Sequence, residues 1–183
     1  MIADAKRGDV PHTATAYAEG LLDLGADAAT INPLTGGDAI DSFIDVAQPA
    51  GAGLFALVRT SNPGAADLFD LEAGGRPFYE HVAALLAARA DRLAGDSGLS
   101  GMGAVLGATE PEHLERVREL LPTSVLLLPG VGAQGGDPAA LGPAFAKHRA
   151  GAIVPASRSI AGADDPGAAA EELRAAVWSI SGG

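Results

Sequence analysis

The sequence predicts an α/β fold built from about six βα units on a parallel sheet. Short apolar runs alternate with longer amphipathic ones along the whole chain, and the short runs lack the strict two-residue alternation of half-exposed strands, as strands covered on both faces do. Length agrees: an eight-unit βα barrel takes about 250 residues, so six units need roughly 190, and the chain has 183. Repeated units of this kind either close into a (β/α)8 barrel or lie open as a doubly wound sheet. With no linker or break in composition, residues 1–183 read as a single domain.

The expected strands are Ile2–Ala5, Ala28–Ile31, Gly53–Val58, Gly103–Leu106, Val125–Leu128 and Ala152–Val154. Between them, helices are expected over Thr13–Leu24, Phe78–Leu93, Glu110–Leu121, Pro138–Arg149 and Pro166–Ser179. The last three carry start signals: Thr109, Asp137 and Asp165 can cap, and a proline sits in each first turn. Gly25, Gly95 and Gly151 stand where helix C-terminal caps belong. Arg116 and Arg118, with Glu112, Glu115 and Glu119, read as a solvated helix face, and Trp178 as a packing residue.

Composition excludes several classes of function. Twelve Lys+Arg against 23 Asp+Glu leave a net charge of −11, which repels nucleic acid and anionic membrane surfaces. There is no cysteine, so disulfides and thiolate metal sites are ruled out, and the four histidines are scattered away from metal-ligand spacings. No stretch approaches the roughly 18–20 apolar residues of a membrane span, and the N-terminus has no apolar leader. A soluble, cytoplasmic chain is expected.

Four strand ends carry the candidate chemistry. After the first strand stands Asp4-Ala-Lys6-Arg-Gly-Asp9; alternation along an extended chain puts Asp4 and Lys6 on one face, and Gly8 permits a turn that frees Asp9. A lysine held between carboxylates stays charged and oriented, which suits stabilising a carbanion and delivering a proton to it. After the third strand, Arg59-Thr-Ser61-Asn-Pro-Gly offers a hydroxyl and turn amides for an amide-like edge; the plain alternative is a helix start with Ser61 or Asn62 as cap. After the fifth, Pro129-Gly-Val-Gly-Ala-Gln134-Gly-Gly can turn backbone amides toward an anion, with Gln134 adding a donor. It lacks the Lys-Ser/Thr of a nucleotide-triphosphate loop and a full dinucleotide fingerprint. After the last, Ser157-Arg158-Ser159 offers a monophosphate anchor, or else Arg158 makes a surface ion pair.

In this order the clusters resemble the orotidine 5′-phosphate decarboxylase family, and more closely its longer bacterial subgroup. Asp4-Ala-Lys6-Arg-Gly-Asp9 looks like the family's Asp-x-Lys-x-x-Asp signature, and Pro129 through Gly136 is similar to its phosphate loop. Thr30-Ile-Asn32-Pro33, Thr60-Ser61-Asn-Pro-Gly and Ser157-Arg158-Ser159 fall at the matching places, while Leu34 stands where the subgroup usually has an aromatic residue. The resemblance implies a TIM (β/α)8 barrel, here incomplete, with six βα units forming the C-terminal part. It implies a homodimer that converts orotidine 5′-monophosphate to UMP and CO₂ in pyrimidine biosynthesis, without metal or organic cofactor. By that pattern Lys6 stabilises and protonates the C6 carbanion and Asp4 orients it; Asp9 and Thr13 reach the partner's site. Ser61 reads the pyrimidine, and Pro129, Gln134, Ser157 and Arg158 line the phosphate end. The family has two further βα units before the signature strand, supplying an Asp to the ribose and a Lys to the charged network. The isolated chain is therefore expected to show little or no activity. Two other readings stand beside it: a Mg²⁺-dependent 3-keto-L-gulonate 6-phosphate-type decarboxylase, and a non-catalytic phosphate-ligand-binding fragment.

Overall fold

The computed structural model describes residues 1–132 and 134–182. In chain order the elements are β1 (Ile2–Arg7), α1 (Pro11–Asp23), β2 (Ala28–Ile31), α2 (Gly37–Ala47), β3 (Gly53–Arg59), α3 (Ala66–Phe69), β4 (Glu72–Ala73) and β5 (Arg76–Pro77). There follow α4 (Phe78–Ala87), β6 (Ser100–Leu106), α5 (Glu112–Leu120), β7 (Ser124–Leu127), α6 (Gly142–Phe145), β8 (Ala152–Ile153), α7 (Arg158–Ala161) and α8 (Pro166–Ile180). Six strands form one parallel sheet in the order β1-β2-β3-β6-β7-β8, so all six expected strands are present and neighbouring in sequence order. The sheet curves as a half-barrel, with β1 and β8 at its two edges. The β4–β5 pair is a separate antiparallel hairpin that the sequence reading did not contain.

The two faces of the sheet are packed differently. On the outer face, Ile31, Val58, Met102, Leu106 and Leu126 are sealed under Ile40, Phe43 and Ile44 of α2, Leu86 of α4 and Leu114 of α5. On the inner face, Ala28, Phe55, Val105 and Leu127 make a smaller cluster, with Ile2, Leu57 and Val125 half-buried against it. Ile2, Leu57, Val105 and Leu127 also form the apolar floor of a cavity at the C-terminal ends of the strands.

Helix α2 is absent from the sequence reading, although Ile40, Phe43, Ile44 and Ala47 keep the i, i+3, i+4, i+7 spacing and all are buried. Its start reads as a loop because it opens on Gly36 and Gly37. The second glycine leaves room for the Arg89 guanidinium, which pairs with Asp41 of the same helix and would have to shift to admit a Cβ at 2.3 Å. The expected helix Phe78–Leu93 ends at Ala87 and continues as a 3₁₀ turn over Ala90–Leu93. Pro138–Arg149 is likewise a 3₁₀ turn over Pro138–Leu141 followed by the short α6, with Gly142-Pro143 at the junction.

Asp137 and Asp165 cap as expected, accepting from the Ala139 and Ala168 amides at 2.9 Å. Thr109 does not cap; its hydroxyl donates to the Ser61 carbonyl. Of the three expected terminal glycines, Gly25 is left-handed (φ +84°), while Gly95 and Gly151 are not. Trp178 is 58% exposed on α8, with Arg149 stacked over its ring. Arg118 is buried rather than solvated: its guanidinium donates to the carbonyls of Leu121, Ser124, Ala144 and Gly151, tying α5, β7, α6 and the start of β8. Burial among carbonyls pushes its pKa down to about 10.

Candidate active site

The strand ends enclose a cavity of about 650 Å³ lined by Asp4, Lys6, Ser61, Pro129 and Gln134, among others. A smaller one of about 240 Å³ adjoins it; Asp4, Pro129 and Gln134 line both, and Ser157 and Arg158 line the smaller. Seven of the nine sequence-predicted site residues therefore border one continuous space. Asp9 and Thr13, at the start of α1, line neither cavity.

The reacting end is made by β1 and β2. Ile2 pairs with Ala28 and Ala3 with Ala29, but the next pairing is Arg7 with Ile31. Asp4, Ala5 and Lys6 thus stand opposite Thr30 alone, a bulge that bends the strand end. Within it Lys6 is the one non-glycine residue with positive φ (+49°) among the described residues, a conformation costing about 1–2 kcal/mol. The Lys6 ammonium donates to Asp4 Oδ1 at 2.5 Å. The pairing expected from alternation is present, but it is reached through the bulge. Burial works against the Asp4 carboxylate, yet hydrogen bonds from Lys6 and Thr30 and the Lys6 charge outweigh it and hold the carboxyl below its ordinary value.

Asp9 does not flank Lys6 on the other side. Its Oδ1 accepts from the Val10 amide at 2.7 Å, so the expected lysine between two carboxylates is, within one chain, a lysine on one. Gly8 serves a different purpose from the one expected: its φ is not left-handed. A Cβ there would lie 2.5 Å from the Asn32 carbonyl oxygen, and glycine lets β1 pass the end of β2.

The Ser61 turn is braced from beneath. Arg59, 2% exposed, gives Nε and Nη2 to the two oxygens of Asp70 at 2.8 and 2.9 Å and also pairs with Glu110. The Arg59 hydrogen bonds hold the Asp70 carboxyl below its ordinary value. A Cβ on Gly107 would lie 2.6 Å from Ser61 Cα, so the end of β6 must be glycine for the turn to seat. The helix start is present, with Asn62 at the cap position and Pro63 opening a 3₁₀ turn, but no side chain caps it; Ser61 Oγ donates to Gln134 Oε1 at 2.8 Å. Thr60 and Asn62 also line the cavity, and the sequence reading gave them no role. Asp70, Glu110 and His113 are the one metal-capable trio among the described residues, with ligand atoms within 4.8 Å of one another. Both carboxylates are already paired with Arg59.

At the far end the glycine loop uses left-handed Gly130, Gly132 and Gly135 to fold on itself. Three amides of the loop are engaged within it: Gly132 donates to Gly136, Gly135 to Gly132, and Gly136 to Gly130. Ala133 of this motif lies outside the described residues. Two side-chain donors, Gln134 and Arg158, stand beside the loop. Both are exposed, and Arg158 enters no ion pair among the described residues.

A parallel half-barrel with polar side chains gathered at the C-terminal ends of its strands places the chain in the βα-barrel class. The chain belongs to the orotidine 5'-phosphate decarboxylase / HUMPS family, whose model matches residues 1–173. It is similar to orotidine 5'-phosphate decarboxylase from Rhodopirellula baltica, 43% identical over 87% of this chain and 56% of that protein. It is also similar to the one from Deinococcus radiodurans, 40% identical over 100% of this chain and 67% of that protein. The chain spans 56–64% of the length of the first three curated relatives. Among solved structures, Leishmania donovani OMP decarboxylase superposes with TM-score 0.79 at 35% identity, covering 100% of this chain and 68% of that one. The Methanocaldococcus jannaschii enzyme complexed with inhibitor BMP shares the fold, with TM-score 0.77 at 24% identity, covering 96% and 72%. No described helix is long and apolar enough to cross a membrane.

Proposed function

We propose that this cavity binds orotidine 5′-monophosphate and that its chemistry is decarboxylation to UMP. The observation that carries the reading is the Asp4–Lys6 pair opening into a space that ends at Gln134 and Arg158. Arg158 and Gln134 hold the 5′-phosphate, with Ser157 and Pro129 shaping its seat, and Ser61 meets the pyrimidine edge. The bond from C6 to the carboxylate breaks heterolytically, CO₂ leaves, and the electron pair remains on C6. The Lys6 ammonium stabilises that pair and then gives C6 its proton, regaining one from solvent. Asp4 orients the ammonium, and remote binding of the phosphate contributes to orienting C6. The relatives at 40–49% identity carry the orotidine 5'-phosphate decarboxylase name, so the Mg²⁺-dependent alternative is not carried forward.

The same reading makes residues 1–183 a single-domain, C-terminal portion of a barrel. It also makes the active form a homodimer in the cytoplasm, with Asp9 and Thr13 serving the partner's cavity. That assignment suits two polar residues that line neither cavity of their own chain.

Purified chain should bind UMP in EDTA, and whatever loss of orotidine 5′-monophosphate absorbance it supports should be small beside that of a full-length relative and abolished by Lys6→Ala. A folded chain that neither binds nor turns over the nucleotide, or turnover indifferent to Lys6→Ala, overturns the reading.

A further inference from the structure

We propose that Thr30 is the positioning residue of the Asp4–Lys6 pair, its one hydroxyl fixing both the backbone of Lys6 and the carboxylate of Asp4. As a role within the reaction, this rests on the decarboxylase reading above; as geometry, it stands on its own.

Thr30 closes β2 on the inner face of the sheet, two residues beyond the inward-facing Ala28, and it is 0% exposed. Opposite it, β1 has three residues where a regular ladder would have one, so the ladder cannot pair them all. The hydroxyl takes over that role. It accepts from the Lys6 amide at 2.9 Å and donates to Asp4 Oδ1 at 2.9 Å. A hydroxyl has one proton to give and lone pairs to receive with, so these two bonds settle its orientation. Asp4 Oδ1 is also the atom that receives the Lys6 ammonium. Three groups thus converge on one buried oxygen of β2 and one carboxylate oxygen of β1, and the left-handed Lys6 backbone is held by a bond no other residue supplies to that amide among the described residues. Valine would keep the shape and the β-propensity of the position but would strand the Lys6 amide and one Asp4 contact. Serine would keep the hydroxyl and lose only a methyl group.

The test measures two quantities in wild type, Thr30→Ser and Thr30→Val. One is the titration of the Asp4 carboxyl, followed by carbon-detected NMR. The other is kcat and KM for orotidine 5′-monophosphate. Thr30→Val should move the Asp4 midpoint up toward the ordinary carboxylate value and lower kcat roughly 10- to 100-fold, with KM within about twofold, because the pair is misplaced rather than removed. Thr30→Ser should stay near wild type in both. A purely structural threonine would shift thermal stability in both variants and leave the Asp4 titration alone. Should Thr30→Val not fold, Thr30→Ser and Thr30→Ala, which differ only in the hydroxyl, make the same comparison. The proposal is overturned by a wild-type Asp4 titration without the hydroxyl, or by Thr30→Ser losing as much as the hydroxyl-free variant. A wild-type chain that folds but neither binds nor turns over the nucleotide counts against the decarboxylase reading, and the Asp4 titration still decides Thr30.

Discussion

The two ends of the strand-end cavity are built on different principles. At the β1–β2 end, Lys6 and Asp4 are joined to each other and anchored to a buried hydroxyl on the neighbouring strand. At the β7–β8 end, the glycine loop presents exposed Gln134 and the start of α7 presents exposed Arg158, which enters no ion pair among the described residues. The Asp4–Lys6 pair is thus fixed by a neighbouring strand, whereas the Arg158 side chain is fixed by no ion pair among the described residues. The difference fits the chemistry. Charge that stabilises a transition state gains from not having to reorganise, whereas a grip on a remote phosphate can lose rotamer freedom on binding and still yield net affinity.

If that contrast is right, substitutions at the two ends should fail differently. Lys6→Ala should have the largest effect, lowering kcat about 10²- to 10⁴-fold while UMP binding by calorimetry stays measurable. Comparable losses in kcat and in UMP affinity would erase the distinction between the ends. Next, Arg158→Ala or Gln134→Ala should each lower kcat/KM roughly 10- to 100-fold through lost charge-assisted hydrogen bonds. The loss should shrink for a nucleoside lacking the phosphate. Ser61→Ala should cost less, about three- to tenfold in kcat/KM, since it removes one neutral hydrogen bond.

The smallest effect is on pH dependence. The folded Asp4 carboxyl lies below its ordinary value, so its pair contributes stability fully above the unfolded value. That contribution is lost as pH falls through the lower, folded value. Because the Asp4 side chain is 64% exposed, Asp4→Asn should flatten the acid limb of a stability–pH curve only slightly. A large stability loss at neutral pH would mean the pair is structural rather than poised for chemistry.

The sheet was legible because buried parallel strands announce themselves as apolar runs, and because Asp137 and Asp165 are capping residues with local reach. What escaped was long-range. Helix α2 opens on two glycines, Gly36 with a left-handed φ and Gly37 against Arg89, 52 residues away. Arg118 reads as one more charge on a polar face, yet carbonyls from three later segments converge on it. At the site, residue types and strand ends were readable, and Asp4, Lys6, Ser61 and Gln134 do border one cavity. The bulge that aims Lys6, the threonine behind it and the Arg59 brace under Ser61 were not, since each depends on a partner strand. The glycine loop was readable as a turn but not in its internal pairing: three of its amides, those of Gly132, Gly135 and Gly136, bond within the loop.

One measurement bears most directly on the two-ended cavity: the structure of the chain with UMP bound. The account expects the phosphate in the smaller space, within hydrogen-bonding distance of Gln134 and Arg158, the pyrimidine beside Ser61, and C6 toward the Lys6 ammonium. A nucleotide bound with its base at Arg158 and its phosphate at Lys6, or bound away from the strand ends altogether, would contradict it.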